Sequence, residues 1–209
     1  MNSLKSIAPM RAIPLTSHSA APTRRRRRQP PLSDSAFGML IFVATEAMFF
    51  TALISAFVII KAGVDLWSPP PGVRLPVITT ACNTALLLLS AVFLHQAGRV
   101  FSNERGRALA QTLLGGAALL GSFFVLFQGY EWMRLIHYGM TMTSGIFGAC
   151  FFLLIGAHGL HAAAAAPAMI SLYVRLKRGT LKREHLRAVQ IFWYFVVGIW
   201  PILYALVYF

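Results

Sequence analysis

The chain has 209 residues, of which 57% are hydrophobic and only 12% charged, with a mean hydropathy of +0.64. A soluble domain carries about a quarter of its residues as charges, so this is an integral membrane protein, too short to support a large domain outside the bilayer. A net charge of +13 in a soluble protein would point to nucleic acid. Here the basic residues lie between apolar runs, where topology signals and anionic lipid head groups account for them, and nucleic acid is not an expected partner.

Residues 1–36 hold five prolines, five consecutive arginines (Arg24 to Arg28) and no acid before Asp34. This composition reads as a disordered basic arm. A twin-arginine signal would need a shorter apolar region, without an acid where Glu46 sits. A mitochondrial transit peptide fits the acid-free composition, but an arginine run does not by itself establish one. The expectation is a retained cytoplasmic arm.

Five apolar runs follow. Phe37 to Ile60 carries a single charge, Glu46, and as a helix it is ~36 Å long against a bilayer core of ~30 Å. Leu75 to Gln96 is uncharged and follows a proline-rich loop, Ser68 to Gly72, that no helix could enter. Ala108 to Tyr130 is also uncharged. Thr143 to Val174 contains His158 and His161 and is long enough to extend past the bilayer. Val189 to Phe209 contains Pro201, an expected kink. The expected fold is all-α, an integral membrane bundle of five transmembrane helices (about 37–60, 75–96, 108–130, 143–174 and 189–209). Cys82 and Cys150 fall inside these runs and match no metal spacing, so they read as small packing residues.

Lysine and arginine fix the expected orientation. Seven lie in the arm, three (Arg99, Arg105, Arg107) after the second run, and six (Arg175, Lys177, Arg178, Lys182, Arg183, Arg187) after the fourth. Sixteen of the 19 thus fall on one side, against Lys61, Arg74 and Arg134 on the other. The basic side faces the cytoplasm or matrix, which puts the N-terminus inside and the C-terminus outside. No internal repeat supports an inverted-repeat transporter.

The polar residues at membrane depth are the candidates for function. A carboxylate near the midplane costs at least ~2.5–3.5 kcal/mol on insertion scales. Glu46 shares its helix face with Met39, Phe42, Phe50, Leu53 and Phe57, none of which can satisfy it. Its partner must come from elsewhere, or its carboxyl must stay protonated. His158 and His161 lie about 60° apart on one side of the fourth helix, opposite a stripe of Gly145, Gly148, Gly156 and Gly159 that would admit a neighbouring backbone. Paired intramembrane histidines suit haem ligation, a proton path with Glu46, or hydrogen bonds that fix the bundle. Haem is disfavoured because His95 and His137 sit at the wrong levels to complete a pair. Glu46 and the histidines fall within ~4 Å of one another in depth, so a contact is geometrically open. Asn83 and Thr84 read as interhelical hydrogen-bonding residues worth ~0.6–2 kcal/mol. Gln128 and Glu131 sit at the outer end of the third helix, where water is near and an acid costs little.

These residues occur in stretches that resemble subunit III of the haem-copper terminal oxidases, in the short five-helix form. The stretches are GMLIFVATEAMFF (Gly38 to Phe50), NTALLLLSA (Asn83 to Ala91), FQGYEW (Phe127 to Trp132), FFLLIGAHGLHA (Phe151 to Ala162) and the closing Phe192 to Phe209. The last helix departs from the family pattern: Tyr194 and Val197 stand where a histidine and an acid are common, and Arg187 replaces an upstream acid. The resemblance implies an accessory subunit of a respiratory cytochrome c oxidase in the bacterial inner membrane. It would have no catalytic residue, metal or redox cofactor of its own, and haem and copper would belong to partner subunits I and II. It would stabilise subunit I, hold phospholipid, with Arg175 a head-group candidate, and support proton supply and oxygen access. Alternatives are a subunit III-like protein of a nitric oxide reductase or quinol oxidase, and an independent ion carrier using Glu46 and the histidines.

Overall fold

The computed structural model describes residues 34–70, 73–101 and 106–209, so the arm up to residue 33 lies outside the described residues, while Asp34 to Ala36, expected to be disordered, form the first turn of a helix. Five helices follow in order: α1 (Asp34–Ala62), α2 (Val77–Val100), α3 (Arg107–His137), α4 (Ile146–Lys177) and α5 (Arg183–Tyr208). All are long and apolar enough to cross a membrane, and among the described residues there is no strand. Each apolar run is the membrane part of a helix that reaches into more polar sequence. The two largest differences are at α3, which runs on to His137, and α5, which begins at Arg183. Pro167 and Pro201 both lie inside continuous helices.

Helices α2, α3, α4 and α5 close a ring in which each packs on the next and α5 returns to α2. Helix α1 is added outside it, lying against α5 and touching α4 more lightly. Lipid tails are as apolar as leucine, so close packing and hydrogen bonds, rather than a hydrophobic driving force, must hold such a ring. The α2/α5 seam shows how. Gln190 Nε2–H donates to the Leu94 carbonyl (3.0 Å), Trp193 Nε1–H to Ser90 Oγ (3.1 Å), Trp200 Nε1–H to Thr84 Oγ1 (2.8 Å), and the Tyr204 hydroxyl to the Val77 carbonyl (3.0 Å). As the α5 number rises the α2 number falls, so the bonds form an antiparallel ladder along almost the whole seam. An indole buried in hydrocarbon must place its N–H somewhere. Trp193 and Trp200, both 0% exposed, place theirs on small hydroxyls of α2.

Packing is close where α3, α4 and α5 meet. A Cβ on Gly121 would stand 2.6 Å from Met169 Cε and 2.7 Å from Trp193 Cζ2, so the junction has no room for a side chain. The glycine stripe of α4 serves differently from its expected role. No neighbouring backbone comes against Gly145 or Gly159, where a Cβ would meet nothing within 4 Å. Gly156 faces the ring of Trp132, and Gly148 abuts its own N-terminal turn at Thr141 and Ser144. The physical reason is that the bulky Trp132 and Phe152, stacked at 5.5 Å, hold α3 and α4 apart at this level.

Candidate functional site

Glu46 meets α4 at the seam where α1 joins the ring. Its Oε2 lies 2.8 Å from His161 Nε2, and His161 Nδ1 lies 2.7 Å from the Ala157 carbonyl oxygen. A carbonyl can only accept, so Nδ1 carries a proton and the tautomer is set. One further proton then sits between Nε2 and Oε2. It belongs either to a neutral acid facing a neutral imidazole or to a carboxylate facing an imidazolium, and the pair is electrically neutral both ways. That neutrality resolves the cost of an acid at this depth.

The pair sits among aromatic rings. Phe50 is 5.2 Å from the His161 ring, Phe192 and Phe49 are each 6.4 Å away, and Phe42 contacts Phe192 at 5.8 Å. Phe49 and Phe50 come from α1 and Phe192 from α5, so three helices wrap the contact. The side chains of His161 and Glu46 are 14% and 20% exposed. The pair is therefore largely but not completely enclosed.

His158, one turn earlier on α4, points into the ring instead. It is 2% exposed, its imidazole stacks on Trp200 with centroids 5.0 Å apart, and its Nε2 has no hydrogen-bond partner among the described residues. The ~60° between the histidines on the helix thus separates two environments: the α1 seam and the bundle interior. Beside His158 is a cavity of about 190 Å³, lined chiefly by apolar atoms, to which Gln128, Gly129, Trp132, Gly159 and Trp200 also contribute. The missing side chains of Gly129 and Gly159 leave this space, since a Cβ on either would touch nothing.

A second polar group occupies the far end of the ring. Asn83 Nδ2 donates to the Phe124 carbonyl (3.2 Å) and reaches Gln128 Oε1 (3.4 Å), which joins α2 to α3. Glu131 does not sit in water as its position in the sequence suggested. It is 4% exposed and pairs with Arg134 at 3.0 Å. The reason is the longer α3: Glu131 lies within the helix, one turn before a cation on the same face. His137, expected in a loop, is the last residue of α3 for the same reason. Arg175 is exposed in the last turn of α4. Of the positions that depart from the family pattern, Tyr194 is 36% exposed beside His95, with ring centroids 6.4 Å apart, and Val197 is buried in the core.

The structure thus brings Glu46 to His161 and Asn83 to Gln128, and leaves His158, Glu131 and Arg175 in separate surroundings. Sequence reasoning passed over Ser90, Gln190, Trp193, Trp200 and Tyr204. Two tryptophans seven residues apart, at mid-membrane depth and on one helix face, were the signal that could have found the ladder.

Comparison with known proteins agrees with this architecture. The family model described as cytochrome c oxidase subunit III matches residues 32–209. The chain is 32% identical over 176 residues to a protein of Nocardia farcinica named probable cytochrome c oxidase subunit 3, covering 82% of this chain and 86% of that one. It is 30% identical over 195 residues to the cytochrome c oxidase subunit 3 of Corynebacterium diphtheriae, covering 91% and 94%. With that of Synechocystis sp. it shares 28% identity over 176 residues, covering 82% and 74%. The chain belongs to the cytochrome c oxidase subunit III family.

Proposed function

We propose that this chain is a cofactor-free accessory subunit of a cytochrome c oxidase in a bacterial cytoplasmic membrane. Haem and copper reside in partner subunits I and II, and α1 is held in place to support subunit I. The observation that carries this reading is the Glu46–His161 contact. It ties α1, the one described helix outside the ring, to α4 through a neutral pair, and both residues fall in stretches by which the chain resembles the family. Such a contact fixes a docking helix without needing a metal or a redox group. The apolar flank of α1, where Met48 is 74% and Ile59 72% exposed, suits burial against lipid or another membrane subunit. Head-group contacts at Arg175, and support for proton supply and oxygen access, belong to the same proposal.

Affinity purification through a tag on this chain tests it. Haem and copper signals are expected to co-purify with the chain, whereas the chain expressed alone should show no Soret band and no stoichiometric copper. A Soret band that survives His158→Ala and is lost on His161→Ala would overturn the accessory reading.

Orientation follows from the lysine and arginine count, with the basic ends of α2, α4 and α5 on the cytoplasmic side. An epitope inserted at Lys182 should be shielded from outside reagents in intact cells, and one appended after Phe209 should be reached. Labelling at Lys182 without permeabilisation would reverse the orientation.

A further inference from the structure

The hydrogen-bond ladder of the α2/α5 seam ends in a cleft of about 220 Å³ at the basic end of the bundle. It is lined by His95, Arg99, Arg183, Arg187, Gln190 and Tyr194, with Gly98 and Leu186 completing it. We infer that this cleft is a binding site for a phosphate group, carried by an anionic lipid head group or free in solution.

The argument starts from what holds the arginines together. Gln190 binds the Leu94 carbonyl, and Trp193 binds Ser90 one turn further on. A Cβ on Gly98 would run into the Gln190 side chain, with Cδ at 3.2 Å, so glycine there lets the two helices close tightly. The ladder therefore fixes the distance between the last turn of α2 and the first turns of α5. Three exposed arginines line the one cleft: Arg99 from α2, and Arg183 and Arg187, one turn apart, from α5.

No carboxylate among the described residues lines the cleft. Glu184, the nearest acid on α5, lies 3.8 Å from Lys182 and does not contribute to the lining. Like charges brought together without an anion repel one another. A convergent set of arginines is the arrangement that recognises phosphate, because each planar guanidinium can donate two parallel N–H bonds to its oxygens. The Gln190 and Tyr194 side chains and the ring of His95 add hydrogen-bonding groups to the lining.

The bias of basic residues toward one side of a membrane explains the sign of these charges but not their convergence. Lys177 and Arg178, exposed at the end of α4, obey the same bias and do not line this cleft. They are the natural controls. Tyr194, which lines the cleft and is 36% exposed, is of the type that sits at the head-group level of a bilayer.

The test uses the full chain in its complex, held in phosphatidylcholine nanodiscs. Phosphatidylglycerol is titrated in and counted on the complex by native mass spectrometry. In parallel, inorganic phosphate is titrated calorimetrically with no anionic lipid present. Variants are Arg99→Gln, Arg187→Gln and Arg187→Lys, with Arg178→Gln as the charge-matched control. A lipid source is shown by phosphatidylglycerol retention that weakens about fivefold for each cleft arginine removed, without saturable heat from phosphate. A solution source is shown by saturable phosphate heat that falls in the same variants while phosphatidylglycerol counts stay unchanged. Arg187→Lys should restore part of the loss in either case, since it keeps charge but not the paired donors. The site is refuted if Arg178→Gln weakens binding as much as Arg187→Gln, which would reveal only a diffuse basic surface. It is equally refuted if neither probe responds to the cleft variants.

Discussion

Glu46→Leu is expected to leave a chain that inserts and folds its four-helix ring but holds α1 poorly. The substitution removes an interhelical hydrogen bond, worth ~0.6 kcal/mol on average and up to ~1.7 in membrane proteins. It also strands His161 Nε2, whose only partner is the carboxyl, and an unmet buried polar atom costs ~1–3 kcal/mol. Together these give about 2 kcal/mol, or about 30-fold in the docking of α1. Glu46→Gln should be close to silent, because its amide N–H can donate to Nε2 while Nδ1–H stays on the Ala157 carbonyl. The double variant Glu46→Leu with His161→Leu should recover most of the loss, since apolar groups then replace both partners. The measurements are subunit retention in the purified complex and oxygen-consumption rate across pH. A Glu46→Gln complex that assembles normally but loses turnover as pH rises would show that the pair hands on its proton, and would sink the structural role.

A valine at Gly121 is expected to be among the most damaging single changes in the ring. Even the first added carbon would press on Met169 Cε at 2.6 Å and on Trp193 at 2.7 and 2.8 Å. The methionine can move, being unbranched and flexible. The tryptophan cannot, because it is fully buried and its N–H is committed to Ser90. Overpacking of this kind costs ~1–3 kcal/mol, and losing the Trp193 hydrogen bond adds ~1. Gly159→Ala is the contrasting change, in which the same chemistry enters open space beside the cavity and should leave stability nearly unchanged. Thermal unfolding of the two purified variants in one detergent decides the matter. Equal melting temperatures would mean that the α3/α4/α5 junction is looser than its packing indicates.

The number of spans was legible because each helix must present some twenty apolar residues to lipid. Their ends were not. Hydropathy marks the depth of a residue and not its backbone state, so the charged turns at Glu131–His137 and Arg183–Ala188 looked like loops and are helix. That one misreading made Glu131 seem wet. The depth of Glu46 was readable, and so was the need for a partner from outside its own helix. Which histidine it meets was not, because His158 and His161 both lie within a few ångström of its depth and the placement of α1 around the ring separates them. The arginines of the cleft were counted as topology signals. Their convergence depends on the α2/α5 register, which no count along the chain contains.

Helix α1 is the first described helix in the chain, and its most extensive contact is with α5, the last. During synthesis it must wait in the bilayer while three more helices are made, with Glu46 unmatched until α4 delivers His161. The strong apolarity of α1, which has the highest mean hydropathy of the five at 2.1, is what lets it insert despite that acid. The native arrangement then closes late, when α5 arrives alongside and Lys61 Nζ–H reaches the Leu206 carbonyl at 3.2 Å. A ribosome that stalls before α4 would release a membrane-bound intermediate whose ring is open and whose α1 has not yet met His161. Surveillance proteases that read unpaired polar residues within the bilayer would meet Glu46 there, and nowhere in the finished subunit.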